Sequence, residues 1–414
     1  MKKIFSTVAL AVGALMLLGS SACAKKQPFP AAPAYSGHPE GKFPLLATYA
    51  FHDPFITDEQ FRLLAEAGFN SICPNLSISQ LDSTLKLAEK YDLYVVDAFN
   101  NMNDGKQVDA YIARYAENPR LWGFKIKDEP DASLFAPIAG VNEKVVKRSP
   151  RKNAFINLYP AVGAEMLGAK DYQTYVEDFV RTVNPQYISF DSYPVRQEKD
   201  GSLSVSDMYF RSIETVADVA RRSDRPFWSY ILINKHGNYP TPSLATVRFQ
   251  MFAALAYGAQ GMAFYTYLVP NWDKKGENTA TPIDLDGRPT PTWDIVRKVN
   301  GEVNALADVF LGAKVKDVRL TGARLPQGTR RLRTLPKPFR MIEGYGEGLI
   351  VSHLQNNGKE YILLVNRDVE KPQNVRIGTT QTVTRLLPDG SEDPRPAAYF
   401  ALDPGSFALF RLPN

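Results

Sequence analysis

The chain has 414 residues, enough for roughly two to three domains of about 100–200 residues each. Its 44% hydrophobic and 22% charged residues exclude a disordered, collagen-like or coiled-coil protein. The net charge is +5, or about +3 without Lys2 and Lys3, and so mild an excess gives no support for nucleic-acid binding.

Residues 1–23 read MKKIFSTVALAVGALMLLGSSAC, with two lysines, an apolar run from Val8 to Leu18, and small residues ending at Cys23. This pattern is an export signal, too short and too early for a membrane span. The cysteine after Ser20-Ser21-Ala22 resembles a bacterial lipoprotein box, which usually has leucine where Ser20 stands. The resemblance implies a signal peptide over 1–22, a lipid on Cys23 as the only membrane attachment, and a flexible tether over 23–42. An ordinary cleaved signal would instead leave Cys23 without a role. Cys73 lies in an apolar run and reads as a small buried hydrophobe. Two cysteines make no disulfide framework.

From Phe43 onward, β-rich runs alternate with amphipathic helical patterns. The spacing predicts strands at 44–51, 69–75, 93–99, 121–129, 153–160, 186–193, 226–233 and 261–268. Between them lie helical stretches such as Asp58–Ala67, with Thr57 as N-cap, Ser77–Tyr91 and Ser206–Arg222. Regular alternation implies parallel pairing, and eight units over about 265 residues match an α/β fold of the closed (β/α)8 TIM-barrel type at 43–312. A doubly wound open sheet is the competitor, but no Gly-rich dinucleotide loop follows the first strand. Past Gly312 the texture changes to LIVSHLQ, YILLVNR and FALFRL, with Asn356-Asn357-Gly358 and Pro388-Asp389-Gly390 between runs. An antiparallel β-sandwich without catalytic groups is expected over 313–414. Nine basic residues between Lys314 and Arg340 face one acid, Asp317, which reads as a solvated face or an anionic-ligand site.

In a barrel of this kind the chemistry sits at the C-terminal strand ends. Those ends carry His52-Asp53, Asp97 with Asn100-Asn101, Lys127-Asp128-Glu129-Pro130, Asn157 with Tyr159, and Asp191-Ser192-Tyr193-Pro194. Strand 7 adds Trp228, Tyr230, Asn234 and His236, and strand 8 adds Tyr265, Tyr267, Asn271 and Trp272. No HxH pair, Cys-His zinc spacing or GxSxG elbow occurs, so neither metal nor cofactor is expected. Convergent carboxylates with aromatic platforms suit a sugar, whose hydroxyls need acceptors and whose ring face packs on aromatic rings.

The run WGFKIKDEP resembles the fourth strand of the clan of (β/α)8 glycoside hydrolases that includes the family 42 β-galactosidases. Those enzymes carry Asn-Glu-Pro there, with the Glu as general acid/base. The resemblance implies that Glu129 is the acid/base and that Asp128 stands where the clan has Asn. With INLYP (156–160), FDSYP (190–194), PFW (226–228) and AYGAQGMAFYTY (256–267), the chain resembles bacterial exported glycoside hydrolase-like proteins over about 43–310.

Glycosidic cleavage needs a proton donor for the leaving oxygen, and a carboxyl with a raised pKa supplies it. Asp-Glu-Pro could instead cap the following helix. The clan's nucleophile is a Glu at the end of strand 7, but FWSYILINKHG holds no acid. Asp191 is then the expected second carboxylate. Alternatively the substrate's own acetamido group attacks, oriented by Asp128 with Glu129 as acid, as the Asp-Glu pair does in β-hexosaminidases. A noncatalytic glycan-binding lipoprotein is the reading from another class. Expected contacts to an oligosaccharide or glycoside are His52, Asp97, Asn157, Tyr193, Trp228, Tyr230, His236, Tyr265 and Trp272, each with barrel packing or loop pinning as its alternative. Asp273 and Glu277 lie in a polar loop expected to be solvated or to form a lid.

Overall fold

The computed structural model describes residues 28–74, 76, 78–98 and 105–413. Cys23, the signal segment, Asn100 and Asn101 lie outside the described residues.

Eight parallel strands close into a barrel in sequence order, and the last returns to the first. They are β1 (Leu45–Thr48), β2 (Ser71–Cys73), β3 (Tyr94–Ala98), β4 (Leu121–Asp128), β5 (Asn153–Leu158), β6 (Ile188–Phe190), β7 (Phe227–Leu232) and β8 (Met262–Tyr265). Closure is the β1–β8 ladder, with Leu45 opposite Met262 and Ala47 opposite Phe264. The helices are α1 (Asp58–Glu66), α2 (Ile78–Lys90), α3 (Gly105–Tyr115), α4 (Phe135–Arg148), α5 (Tyr172–Val183), α6 (Asp207–Arg222), α7 (Leu244–Ala256) and α8 (Pro291–Ala305). Side-chain caps set several starts. Thr57 accepts from the Gln60 amide at 3.3 Å, Asp171 from that of Thr174 at 2.7 Å, and Ser243 forms a capping box with Thr246. Each of the eight expected strands is found, shortened at its ends. Among the described residues no helix is long and apolar enough to cross a membrane.

Strand residues divide between two cores. Leu45, Ala47, Val95, Phe124, Ile126, Leu158, Ile231 and Phe264 face the helices. Leu46, Cys73, Val96, Trp122, Phe155, Tyr187, Trp228, Tyr230 and Ala263 fill the barrel interior. Trp228 lies flat over residue 261, where a Cβ would stand 2.3 Å from its ring, so only glycine fits.

The N-terminal end of the barrel is sealed by the chain itself. Trp122 Nε1 donates to the carbonyls of Ser36 and Gly37 at 3.2 and 3.1 Å, and Trp228 Nε1 to Tyr35 Oη at 3.0 Å. Gln186 holds the Ala34 carbonyl at 2.8 Å, and the His38 ring packs edge-on to Tyr94 and Trp122. This corrects the expected tether over 23–42. From Ala34 to His38 the segment is a plug, because two buried indole N–H groups need acceptors and find them there.

Two antiparallel sheets follow. The larger orders Lys314–Leu320, Leu349–Asn356, Lys359–Asn366, Phe407–Arg411, Thr384–Leu386 and Glu392–Asp393 side by side; the smaller orders Phe339–Gly344, Gln373–Thr379 and Tyr399–Leu402. Leu349, Val351, Ile362, Leu364, Val375 and Phe410 form the core between them. Alternate residues Ile350, Leu354, Leu363, Val365 and Phe407 join the barrel's own core instead. The central strands are thus apolar on both faces, a pattern expected of buried rather than half-solvated sheet. Their partner is α7, whose sequence LATVRFQMFAALA is buried from Thr246 to Ala256 and whose Phe252 stacks on Phe407 at 3.5 Å. His353 pairs with Glu360 at 2.7 Å within its own sheet, and Asp368 accepts from the amides of Glu370 and Lys371. The basic stretch disperses into surface pairs, including Arg319–Asp317 at 2.9 Å and Arg324–Asp207 at 3.2 Å.

Candidate active site

Strand β4 is irregular where the chemistry was expected. Its pairing with β5 slips between Lys125, opposite Phe155, and Lys127, opposite Ile156, and then places Asp128 opposite Asn157. Glu129 follows in the left-handed region at φ 43°, with its amide donating to the Asn157 carbonyl at 2.8 Å. A non-glycine residue there carries about 1–3 kcal/mol of strain, which clusters at functional sites. The helical cap is supplied by another residue. Asp131 accepts from the Ser133 amide at 2.8 Å and starts the single turn Ala132–Leu134 that leads into α4. Asp128 and Glu129 are therefore not committed to capping.

Three carboxyl groups converge at the ends of β4 and β6. Asn157 Nδ2 donates to Asp128 Oδ1 and to Asp191 Oδ1, each at 3.2 Å, while its Oδ1 accepts from Ser189 Oγ at 3.0 Å. Asn157, 4% exposed, holds the two acids in register and leaves no free amide group for a ligand. The Glu129 and Asp191 carboxyls are close enough to shift one another's titration. Burial, and then the charge of Asp128, raise the Glu129 pKa, opposed by the Asp191 hydrogen bond and Lys125. Burial, Glu129 and Asp128 push Asp191 well above the usual carboxylate range. Such a pair keeps one shared proton to higher pH than an isolated carboxyl.

Lys125 reaches the same cluster from inside the barrel. Its ammonium lies 2.9 Å from Asp128 Oδ2 and 5.2 Å from the centre of the Tyr49 ring. Sequence reading missed Lys125, and it missed Tyr49, which takes φ 49° just beyond β1. A lysine inside an apolar strand was the available signal for the first.

Opposite the carboxylates, aromatic rings run from β6 round to β1. Tyr193 stacks near Tyr265 at 6.4 Å and meets Tyr239 edge-on at 5.4 Å. His236 lies 4.7 Å from Tyr239 and 5.7 Å from Tyr265. Tyr49 meets Tyr265 at 5.6 Å and Trp272 at 6.4 Å, with Trp272 53% exposed at the outer end. Burial and Arg196 lower the His236 pKa, which favours the neutral ring. The loop after β8, expected to be solvated or a lid, is pinned. Asp273 accepts from the amides of Glu277 and Asn278, and Thr279 bridges to Lys235 in both directions at 2.8 and 2.9 Å.

Four expected contacts are corrected, besides Asn157. Trp228, 1% exposed, packs 5.5 Å from Trp122, Phe155 and Tyr187 above the N-terminal plug. Tyr230, 9% exposed, lies within the barrel close to Lys125. The His52 ring nitrogens face the carbonyls of Asp53 and Val269 at 2.8 and 3.0 Å, so the ring ties two loops together. Asp97 is 4% exposed and lies near Cys73 and Tyr115. Tyr193, His236, Tyr265 and Trp272 do share one wall. Among the described residues no group of three or more His, Cys, Asp or Glu side chains is arranged so that it could hold a metal ion.

No family model and no curated protein sequence matches this chain. Solved structures share its fold. A catalytic mutant of a GH42 β-galactosidase from G. stearothermophilus superposes with a TM-score of 0.61 at 9% identity, covering 92% of this chain and 99% of that one. The β-galactosidase from Bacillus circulans sp. alkalophilus gives 0.59 at 9% identity, covering 90% and 99%. That from the psychrophilic Marinomonas ef1 gives 0.46 at 12% identity over 64% of this chain, which spans only 60% of that protein's length. At such identities the likeness is one of fold: a (β/α)8 barrel followed by a β domain.

Proposed function

We propose that this chain is an exported glycoside hydrolase in which Glu129 is the general acid/base and Asp191 the second carboxylate. The observation that carries the reading is the convergence of Asp128, Glu129 and Asp191 about Asn157, with the Glu129 and Asp191 pKa values both raised, on a barrel shared with β-galactosidases. A carboxyl whose pKa is raised keeps its proton to higher pH and can give it to a leaving glycosidic oxygen. In this reading Asp191 attacks the anomeric carbon while Glu129 protonates the leaving oxygen, and Glu129 later activates the water that releases the sugar with retention.

A second reading has one observation in its favour. Asp128 is the open acid of the cluster, its side chain 42% exposed beside Glu129, and it could orient a substrate acetamido group. Both readings predict turnover of glycosides. Screening aryl glycosides of common hexoses and N-acetylhexosamines for phenol release tests them together. Oligosaccharide binding by calorimetry with no turnover of any glycoside would support a noncatalytic glycan-binding protein instead.

The aromatic wall is the proposed sugar platform, and Trp272 its outermost ring. Trp272→Ala should raise KM about two- to tenfold, the equivalent of about 0.5–1.5 kcal/mol of ring contact, with kcat nearly unchanged. An unchanged KM across short and long substrates would remove Trp272 from the site. The leader supports export and a lipid on Cys23, and Cys23→Ser should release the protein from the membrane fraction into the soluble one.

A further inference from the structure

We propose that Lys125 is a positioning residue that holds the Asp128 carboxylate beneath the mouth and sets the pH range in which the Glu129–Asp191 pair works. The inference deepens the glycosidase reading and rests on it.

An ammonium inside a barrel is costly unless it is paired, and Lys125 is 15% exposed. Its partner is Asp128 at 2.9 Å, and the face of the Tyr49 ring lies 5.2 Å away. The other oxygen of Asp128 accepts from Asn157, so the carboxylate is gripped from two sides. Asn157 also holds Asp191, which makes Lys125 one end of a continuous row through Asp128 and Asn157 to Asp191. Ionisable neighbours come from every side. Asp128 and Glu129 belong to the end of β4, Tyr49 to that of β1, Cys73 to β2 and Tyr230 to β7. Asp97 on β3 acts on Cys73, and Asp191 beyond β6 on Glu129.

Among these groups Lys125 is the cation, paired with Asp128 and acting on Glu129. Asp128 raises Glu129, and Lys125 opposes it. Removing the ammonium leaves the Asp128 charge uncompensated beside the pair, so the shared proton is held to higher pH. A lysine that merely filled space would not move that titration.

Carbon-13 NMR of the full chain labelled at glutamate δ-carboxyls reads this without any substrate, with the Glu129 signal assigned by its loss in Glu129→Gln. In Lys125→Met the Glu129 midpoint should rise by about one pH unit or more. In Lys125→Arg it should stay close to wild type, and the alkaline limb of kcat/KM should follow the midpoint in both. An unmoved midpoint in Lys125→Met overturns the proposal. Should that variant not fold, Asp128→Asn and the double variant Lys125→Met/Asp128→Asn carry the test, since the latter leaves no unpaired charge. The double variant should titrate above Asp128→Asn, and equal midpoints overturn the proposal. Full activity of Glu129→Gln would end the catalytic reading on separate grounds, whatever the titration shows.

Discussion

Glu129→Gln should lower the hydrolysis of glycosides with poor leaving groups by about 10²–10⁴-fold, the usual loss when a general acid is removed. The amide keeps the size of the carboxyl but has no proton to give at ordinary pH. Activated aryl glycosides, whose phenolate leaves without help, should suffer much less at the bond-breaking step. Comparing kcat/KM for a nitrophenyl and an alkyl glycoside of the same sugar makes the test specific. Equal losses on both would point to disrupted structure, and no loss on either would remove Glu129 from the mechanism. The pH profile adds a sign. The acid must be protonated, so activity should fall as pH rises through the raised Glu129 value, and Glu129→Gln should abolish that limb.

Asp191→Asn should be more damaging still, on the order of 10⁴-fold or more, because it removes the attacking group itself, whereas Glu129→Gln removes only the proton given to the leaving oxygen. The wild type should release the sugar with its anomeric configuration retained, as read by proton NMR of the first-formed product. Retention confined to N-acetyl sugars, with Asp191→Asn still active, would move the role to Asp128. The same variant carries an opposite expectation for stability. Burial and mutual repulsion raise both acids, so the folded state binds the proton they share, which Glu129 carries in the active form, more tightly than the unfolded chain does. Stability from that proton is fully present below the ordinary carboxylate range, near 4, and is lost as pH rises through the raised value. Asp191→Asn removes the dependence. Its melting temperature should exceed that of the wild type above that value, and the gap should close in acid. A variant less stable than wild type at pH 8 would contradict the buried, mutually repelling pair.

Much of this architecture is legible in the residues. Eight apolar β-rich runs separated by amphipathic helices dictate parallel strands with helical crossovers, and eight such units close on themselves. Thr57 before Asp58 and Ser206 before Asp207 mark helix starts, because their hydroxyls satisfy amides that the helix cannot. Asp128, Glu129 and Asp191 stand at C-terminal strand ends in the sequence, as Asp53 and Asp97 do, and it is the resemblance of WGFKIKDEP to the fourth strand of the family 42 clan that singles them out. The C-terminal strands show where such reading stops. LIVSHL and YILLVN are apolar on both faces because a helix from the barrel covers the second face, and no local pattern announces that helix as their partner.

The sequence by itself determined the order and kind of the elements, the acids at the strand ends and the missing acid in strand 7. Those are properties of local pattern, with a period of two or 3.6. Which side chain enters the bowl was decided by the tertiary structure. In β4 the pairing slips twice, between Leu121 and Gly123 against β3 and between Lys125 and Lys127 against β5. Strict alternation from Trp122 would turn Lys125 outward, and the first slip turns it in, under Asp128. At Tyr49 a left-handed residue does the same at the end of β1. Each slip depends on neighbouring strands hundreds of atoms away in the chain, and so does the height at which a ring sits. Trp228, the second residue of β7, packs against the plug, while Tyr265, the last of β8, lines the mouth. Register and depth are set by closure of the whole barrel, and a one-residue shift exchanges inside for outside.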